Sequence, residues 1–363
     1  VQFNSDNKPV LHFKNVGQSF VFNEIEERPV LSINRDFSSP IKLNYETSPD
    51  ETLHIIKYDS DNFNRREALY KMTLKELQRL IKSFQEQNAT SPNEQLIAAM
   101  SYVLNDVKID AEFKALMLQI PNDDIIAQEE TLLDAENFLN ARKSLIKLFV
   151  EKNRDQLINL YKKHHALNSR GDRALKNKIL SYLVTAEYAE AVTLAKQQFD
   201  TAQNMTDKLS SLSSLCLTDT AEKQEALAAF YDKWKTDTVV FSKWLQVQAA
   251  ASLKTTFQNV LNLSKTAGFD SEAPNNIYAL HGVFSGNFNA LFAEPQAAHQ
   301  WLCNEILRID KFNPQVAARL CSSFNFLKKY PEKVRQIAQT EIRRVLTEPH
   351  LSKNSRELLE RCV

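Results

Sequence analysis

Along most of this chain apolar positions recur every three or four residues, the spacing of one face of an α-helix. In EALAAFYDKW, Ala226, Phe230 and Trp234 form one row, and Leu227 and Tyr231 form the next. LKTTFQNVLNLSKTAG sets Leu253, Phe257, Val260, Leu261 and Ser264 on one face, with Gly268 expected as a left-handed cap. Beyond Pro331, EKVRQIAQTEIRRVL lines up Val334, Ile337, Ile342 and Val345. The first stretch reads otherwise. Val10 to Phe13, Ser19 to Phe22, Val30 to Ile33 and Ile41 to Tyr45 are short strand candidates, punctuated by Gly17, Pro29 and Pro40.

The change from one pattern to the other is abrupt. In TSPDETL, Ser48 is a good N-cap, Pro49 suits the first helical position, and Glu51 completes a capping box. The division is therefore residues 1–47, a small Ig-like β-sandwich, and residues 48–363, helical throughout. A unit so small buries little core and is expected to lean on its neighbour. The helical part has room for on the order of 15–20 helices of ordinary length. One bundle cannot hold that many. The fold class is mainly α: an α-α superhelix of stacked hairpins, ARM/HEAT-like, which curves and presents a concave surface.

Composition agrees. The chain has 363 residues and only five glycines, while Ala, Leu, Lys, Glu and Gln abound, which favours helices. Lys plus Arg number 45, as do Asp plus Glu. A net charge of zero speaks against nucleic acid as a partner and against a polybasic membrane-surface role. No apolar run approaches the ~18 residues of a membrane span. Cys216, Cys303, Cys321 and Cys362 show no C-x-x-C spacing and read as reduced thiols, so a cytoplasmic location is expected. The chain begins without Met or a signal peptide, directly on strand-like sequence, and reads as a piece of a longer protein.

Chemistry of its own is not evident. None of the seven histidines belongs to H-E-x-x-H, and no pair is spaced i, i+4. Adjacent His164 and His165 point about 100° apart on a helix, so they do not share an ion and read as surface or partly packed. Phosphate-binding loops and G-x-S-x-G are missing. Lysine-rich NLYKKHH and FLKKYPEK read as solvated helix faces. Trp234 and Trp244 read as core. Gly282 and Gly286 fall inside PNNIYALHGVFSGNFNALF, among Asn275, Asn276, Asn287 and Asn289. Two helices packed tightly would explain them, as would a ligand or another domain approaching the backbone.

One further stretch, NPQVAARL, reads as a helix start with Asn313 as N-cap and Pro314 first. Val316 and Leu320 form its apolar stripe. Gln315 and Arg319 share the neighbouring face, and Arg319 is placed near the positive end of the helix dipole. On pattern alone that pair belongs to a solvated face.

NNIYALHGVFSGN, NPQVAARL and FLKKYPEK together resemble the C-terminal helical domain of the aminopeptidase N (alanyl aminopeptidase) family of gluzincin zinc metallopeptidases. KQQFDTAQNMTDKLSSLSSL and YDKWKTDTVVFSKWLQVQA are similar to it as well, and GQSFVFNEIEERPVLSINRDFSSPIKLNY resembles the small β-sandwich ahead of that domain. The resemblance covers essentially the whole chain. It implies a longer enzyme whose amino-terminal portion carries H-E-x-x-H, a downstream glutamate ligand, G-x-M-E-N and a tyrosine for the tetrahedral intermediate, none of which occurs here. It implies no catalytic residue, no metal and no cofactor in this chain; zinc belongs to the catalytic domain of the same polypeptide, which is the implied partner together with peptide substrates. The helical domain then caps that catalytic domain and walls a chamber. The resemblance implies three substrate-binding residues: Gln315 and Arg319 match positions on the chamber wall near the substrate, and Tyr278, in a segment that borders the chamber, stands where some relatives carry an arginine. The other reading left open is a stand-alone helical-repeat adaptor that binds protein partners.

Overall fold

The computed structural model describes residues 2–3, 9–41 and 43–363. Helix follows helix from Pro49 to Glu360. The first begins as its sequence dictates. The Ser48 hydroxyl accepts from the Glu51 amide, the Glu51 carboxylate accepts from the Ser48 amide at 2.9 Å, and Pro49 is first in the helix. Asp61, Asn93, Asp110, Asn122 and Asp134 cap the next five helices with their side chains. These caps satisfy amides that a short helix would otherwise leave unpaired.

Neighbouring helices pack on one another, and their stripes merge into one apolar core running from Ile56 to Cys362. Ala226, Leu227 and Phe230 are buried, and Trp244 is buried with its indole N–H donating to the Leu227 carbonyl at 3.0 Å. The array curves far enough for distant parts to meet. Lys329 donates to the carbonyls of Ala127 and Gln128 at 2.8 and 2.9 Å, and the Leu133 amide donates to the Lys329 carbonyl at 2.6 Å. This lysine is a staple across the superhelix, where a solvated face was expected.

The amino-terminal stretch departs from the expected strands. Among the described residues, strand pairing is confined to Gln2–Phe3 with Pro9–Val10, antiparallel. Residues 19–22 and 30–33 have no ladder, and the Ile41 to Tyr45 run includes position 42, outside the described residues. The stretch is held by its neighbour instead. Arg35 donates to Asp59 at 2.7 Å, and Asn64 donates to Ser32 and to the Ile33 carbonyl. The rings of Phe37 and Phe63 meet at a tilt, 5.1 Å apart. Phe13, Val21, Phe22 and Ile25 remain exposed, Phe13 by 74% and Phe22 by 58%. With those side chains outside, few apolar contacts remain to hold a ladder together.

Three other expectations change. The helix expected from Leu253 spans Thr256–Leu263, and Gly268 takes its φ of +93° in a later turn, near the Lys235 carbonyl and the Phe241 ring. Four residues of turn chemistry intervene, which helical spacing does not register. His164 is buried and lies 2.6 Å from Asp172, while His165 is exposed. Finally, Gly282 and Gly286 are not pressed by another helix. The nearest atoms to an added Cβ belong to their own segment, none closer than 3.8 Å. The glycine under real pressure is Gly171, where a Cβ would sit 3.0 Å from the Glu112 amide nitrogen.

Candidate functional site

The helix Pro314–Cys321 is built as its sequence implies. The Asn313 side chain accepts from the Val316 amide, and Pro314 occupies the first position. Val316, Ala317, Leu320 and Cys321 are buried, and Gln315 and Arg319 stand on the exposed face. The dipole reading reverses. The helix ends at Cys321 and gives way to a 3-10 stretch, Ser322–Lys329, so Arg319 lies in its last turn, where a cation is favoured. Among the described residues no carboxylate pairs with Arg319.

Its neighbour is Tyr278. The Arg319 guanidinium carbon lies over the Tyr278 ring, 4.6 Å from the centroid, a cation–π contact. Tyr278 itself is half-buried and opens a π-helical turn, Tyr278–Gly282, set between the short helices Pro274–Ile277 and Val283–Ser285. The wider π turn breaks the helical register at this point. Gly282 lies just under the ring: an added Cβ would be 3.9 Å from the Tyr278 Cβ and Cδ1. The structure thus brings Tyr278 and Arg319 together. Gln315 stands one helical turn upstream of Arg319 on the same open face.

The same π turn holds a group that sequence reasoning missed. His281 is 1% exposed, and neither ring nitrogen has a hydrogen-bond partner among the described residues. Trp301 meets it edge-on at 4.9 Å, Phe269 at 5.6 Å, and a Glu305 carboxylate oxygen lies 3.5 Å from its Nδ1. Burial pushes its pKa down to about 4, with Glu305 acting the other way and Arg308 reinforcing the fall. Arg308 donates to Glu305 at 2.8 Å and to the Ser271 carbonyl at 3.0 Å, which ties the Pro295–Asp310 helix to the approach of the π turn. At the far end, Asn287 donates to the carbonyls of Ala249 and Ala251. A π turn leaves no periodic signature in so short a stretch, so only Gly282 hinted at it.

Among the described residues no group of three or more His, Cys, Asp or Glu side chains is placed to hold a metal ion. All four cysteines are free and buried, and burial raises the thiol pKa of Cys216, Cys303 and Cys321 to about 12, which leaves no reactive thiolate among those three. No helix among the described residues is long and apolar enough to cross a membrane.

Residues 49–363 match the family described as domain of unknown function DUF3458_C, ARM repeats, and residues 2–46 match domain of unknown function DUF3458, Ig-like fold. Aminopeptidase N of Haemophilus influenzae is 27% identical over 362 residues, 98% of this chain and 41% of that protein. Aminopeptidase N of Escherichia coli is 27% identical over 89% of this chain and 38% of its own length, and that of Caulobacter vibrioides is 28% identical over 94% and 40%. The chain thus spans about two fifths of the length of these relatives. Among solved structures, a crystal structure of Legionella pneumophila aminopeptidase A in complex with aspartic acid superposes with a TM-score of 0.83 at 24% identity. The superposition covers 94% of this chain and 41% of that one.

Proposed function

We propose, from the premise that this chain belongs to the DUF3458_C family of ARM-repeat domains, that it is the non-catalytic C-terminal portion of a zinc aminopeptidase. The division falls between residues 47 and 48, with the Ig-like unit leading into the superhelix. The observation that carries this reading is collinearity: both family matches run in order over nearly the whole chain, and three aminopeptidase N relatives align along 89–98% of it. The exposed Phe13, Val21, Phe22 and Ile25 suit a partner surface supplied by the catalytic portion of the same polypeptide.

In this reading the superhelix walls a chamber that admits peptides, in a cytoplasmic enzyme. Gln315 and Arg319 face that chamber. Arginine meets a carboxylate with a planar fork, and glutamine both donates to and accepts from peptide groups. The catalytic portion would hold zinc, whose chemistry there would be activation of a water. The residues of this chain bind and orient the peptide.

Two preparations test the reading. The chain alone should leave an alanyl chromogenic substrate intact with or without added zinc. The longer polypeptide that carries it should cleave that substrate and lose activity to a chelator. Hydrolysis by the chain alone, or a longer polypeptide that has no peptidase activity, contradicts the proposal.

A further inference from the structure

The resemblance implies Tyr278 as a substrate-pocket residue, and its place in the structure adds a contact with Arg319. Its ring face is occupied by the Arg319 guanidinium at 4.6 Å. Arg319 is exposed and has no carboxylate partner among the described residues. A free arginine of this kind samples many rotamers and loses that freedom when it binds an anion. Stacking on an aromatic face restrains the guanidinium plane and leaves the N–H groups at its edge open. Tyr278 is well placed to impose that restraint. Ile277 just before it and Ala279 and Leu280 just after it are buried, and the segment around the turn is tied on both sides through Arg308 to Ser271 and through Asn287 to Ala249 and Ala251.

We infer that Tyr278 is a positioning residue for Arg319, and that the pair makes the chamber wall selective for the terminal carboxylate of short peptides. The inference deepens the aminopeptidase reading and rests on it. The ring face does the work and the phenol oxygen does not: no hydrogen bond between that oxygen and Arg319 is formed. A fork held in advance loses less entropy on meeting a carboxylate than a mobile one does. An amide-blocked peptide presents no such partner, so the benefit is confined to free acids.

The test has two parts. In the chain alone, the Nε–H resonance of Arg319 should show a ring-current shift that persists in Tyr278→Phe and vanishes in Tyr278→Leu. In the longer enzyme, kcat/KM is measured for a tripeptide with a free carboxylate and for its C-terminal amide. Tyr278→Phe should keep the acid-over-amide ratio, while Tyr278→Leu should lower it about three- to tenfold, chiefly through KM of the acid. Melting curves of the variants check that folding is retained. An unchanged ratio in Tyr278→Leu, or an equal loss in Tyr278→Phe, overturns the inference. Arg319→Ala separates the two levels. If it abolishes the ratio while Tyr278→Leu does not, only the positioning role falls. If it leaves the ratio intact, the substrate wall itself falls and the positioning role with it.

Discussion

The guanidinium of Arg319 covers the ring of Tyr278, and the two residues come from elements 41 positions apart in sequence. One is in the last turn of a short helix and the other opens a π turn. Their meeting depends on the packing of the Pro314–Cys321 helix against that turn, which both elements secure through buried neighbours such as Val316, Leu320, Ile277 and Leu280. It gives an arginine that pairs with no carboxylate among the described residues an aromatic support.

Glycine substitutions should separate close packing from a broken register. Gly282 has helical dihedrals, φ −64° and ψ −42°, and an added Cβ meets nothing nearer than 3.9 Å. Gly282→Ala should therefore stabilise the chain by about 0.5–1 kcal/mol. Gly171→Ala should destabilise it by roughly 1–3 kcal/mol, since a Cβ would sit 3.0 Å from the Glu112 backbone nitrogen. Urea denaturation of both variants reads the two signs, and a destabilised Gly282→Ala would show that the π turn needs glycine for packing after all.

Acid sensitivity should trace in part to His281. Its folded pKa, about 4, lies below the ordinary histidine value because the ring is buried. Between about pH 6.5 and 4 the unfolded chain binds the extra proton, so the stability present above pH 6.5 is lost as pH falls through that window. His281→Phe keeps the ring among Phe269 and Trp301 and removes the titration. The difference in unfolding free energy between pH 7.5 and pH 4.5 should shrink by on the order of 1–3 kcal/mol relative to the parent chain. Burial lowers the pKa of His299 as well, so some acid sensitivity persists. An unaltered pH dependence would mean that His281 does not remain neutral in the fold.

The Lys329 staple should matter more than an ordinary surface lysine. Its ammonium donates to two carbonyls about 200 residues away in sequence. Lys329→Met keeps most of the stem and removes both bonds, at a cost of roughly 1–3 kcal/mol. Hydrogen exchange should quicken first across residues 123–133. Exchange and stability like those of the parent chain would return Lys329 to a solvated face.

The helical part of the fold was legible because its signals are local. The Ser48–Glu51 capping box, Pro49 and Pro314 at first helical positions, and the stripes of Ala226, Leu227 and Phe230 all depend on residues within a turn or two of each other. Where a helix stops is set by packing, and that is why the last-turn position of Arg319 and the late turn at Gly268 escaped the pattern. The strand candidates at 19–22 and 30–33 had the right flanking breakers in Gly17 and Pro29, yet a strand exists only with a partner to pair with. Of the candidate site, Gln315 and Arg319 were visible as a shared helix face. Their contact with Tyr278 was not, because neither spacing nor composition reports a π turn or a cation–π stack across 41 positions.

The central claim is that the face carrying Gln315 and Arg319 meets peptide in a longer enzyme. The most direct measurement is steady-state hydrolysis of short peptides by that enzyme carrying Gln315→Ala together with Arg319→Ala. Both side chains are exposed, so the melting temperature should stay near that of the parent, while kcat/KM should fall by about tenfold or more. Kinetics indistinguishable from the parent enzyme would contradict the claim and leave the pair on a solvated face.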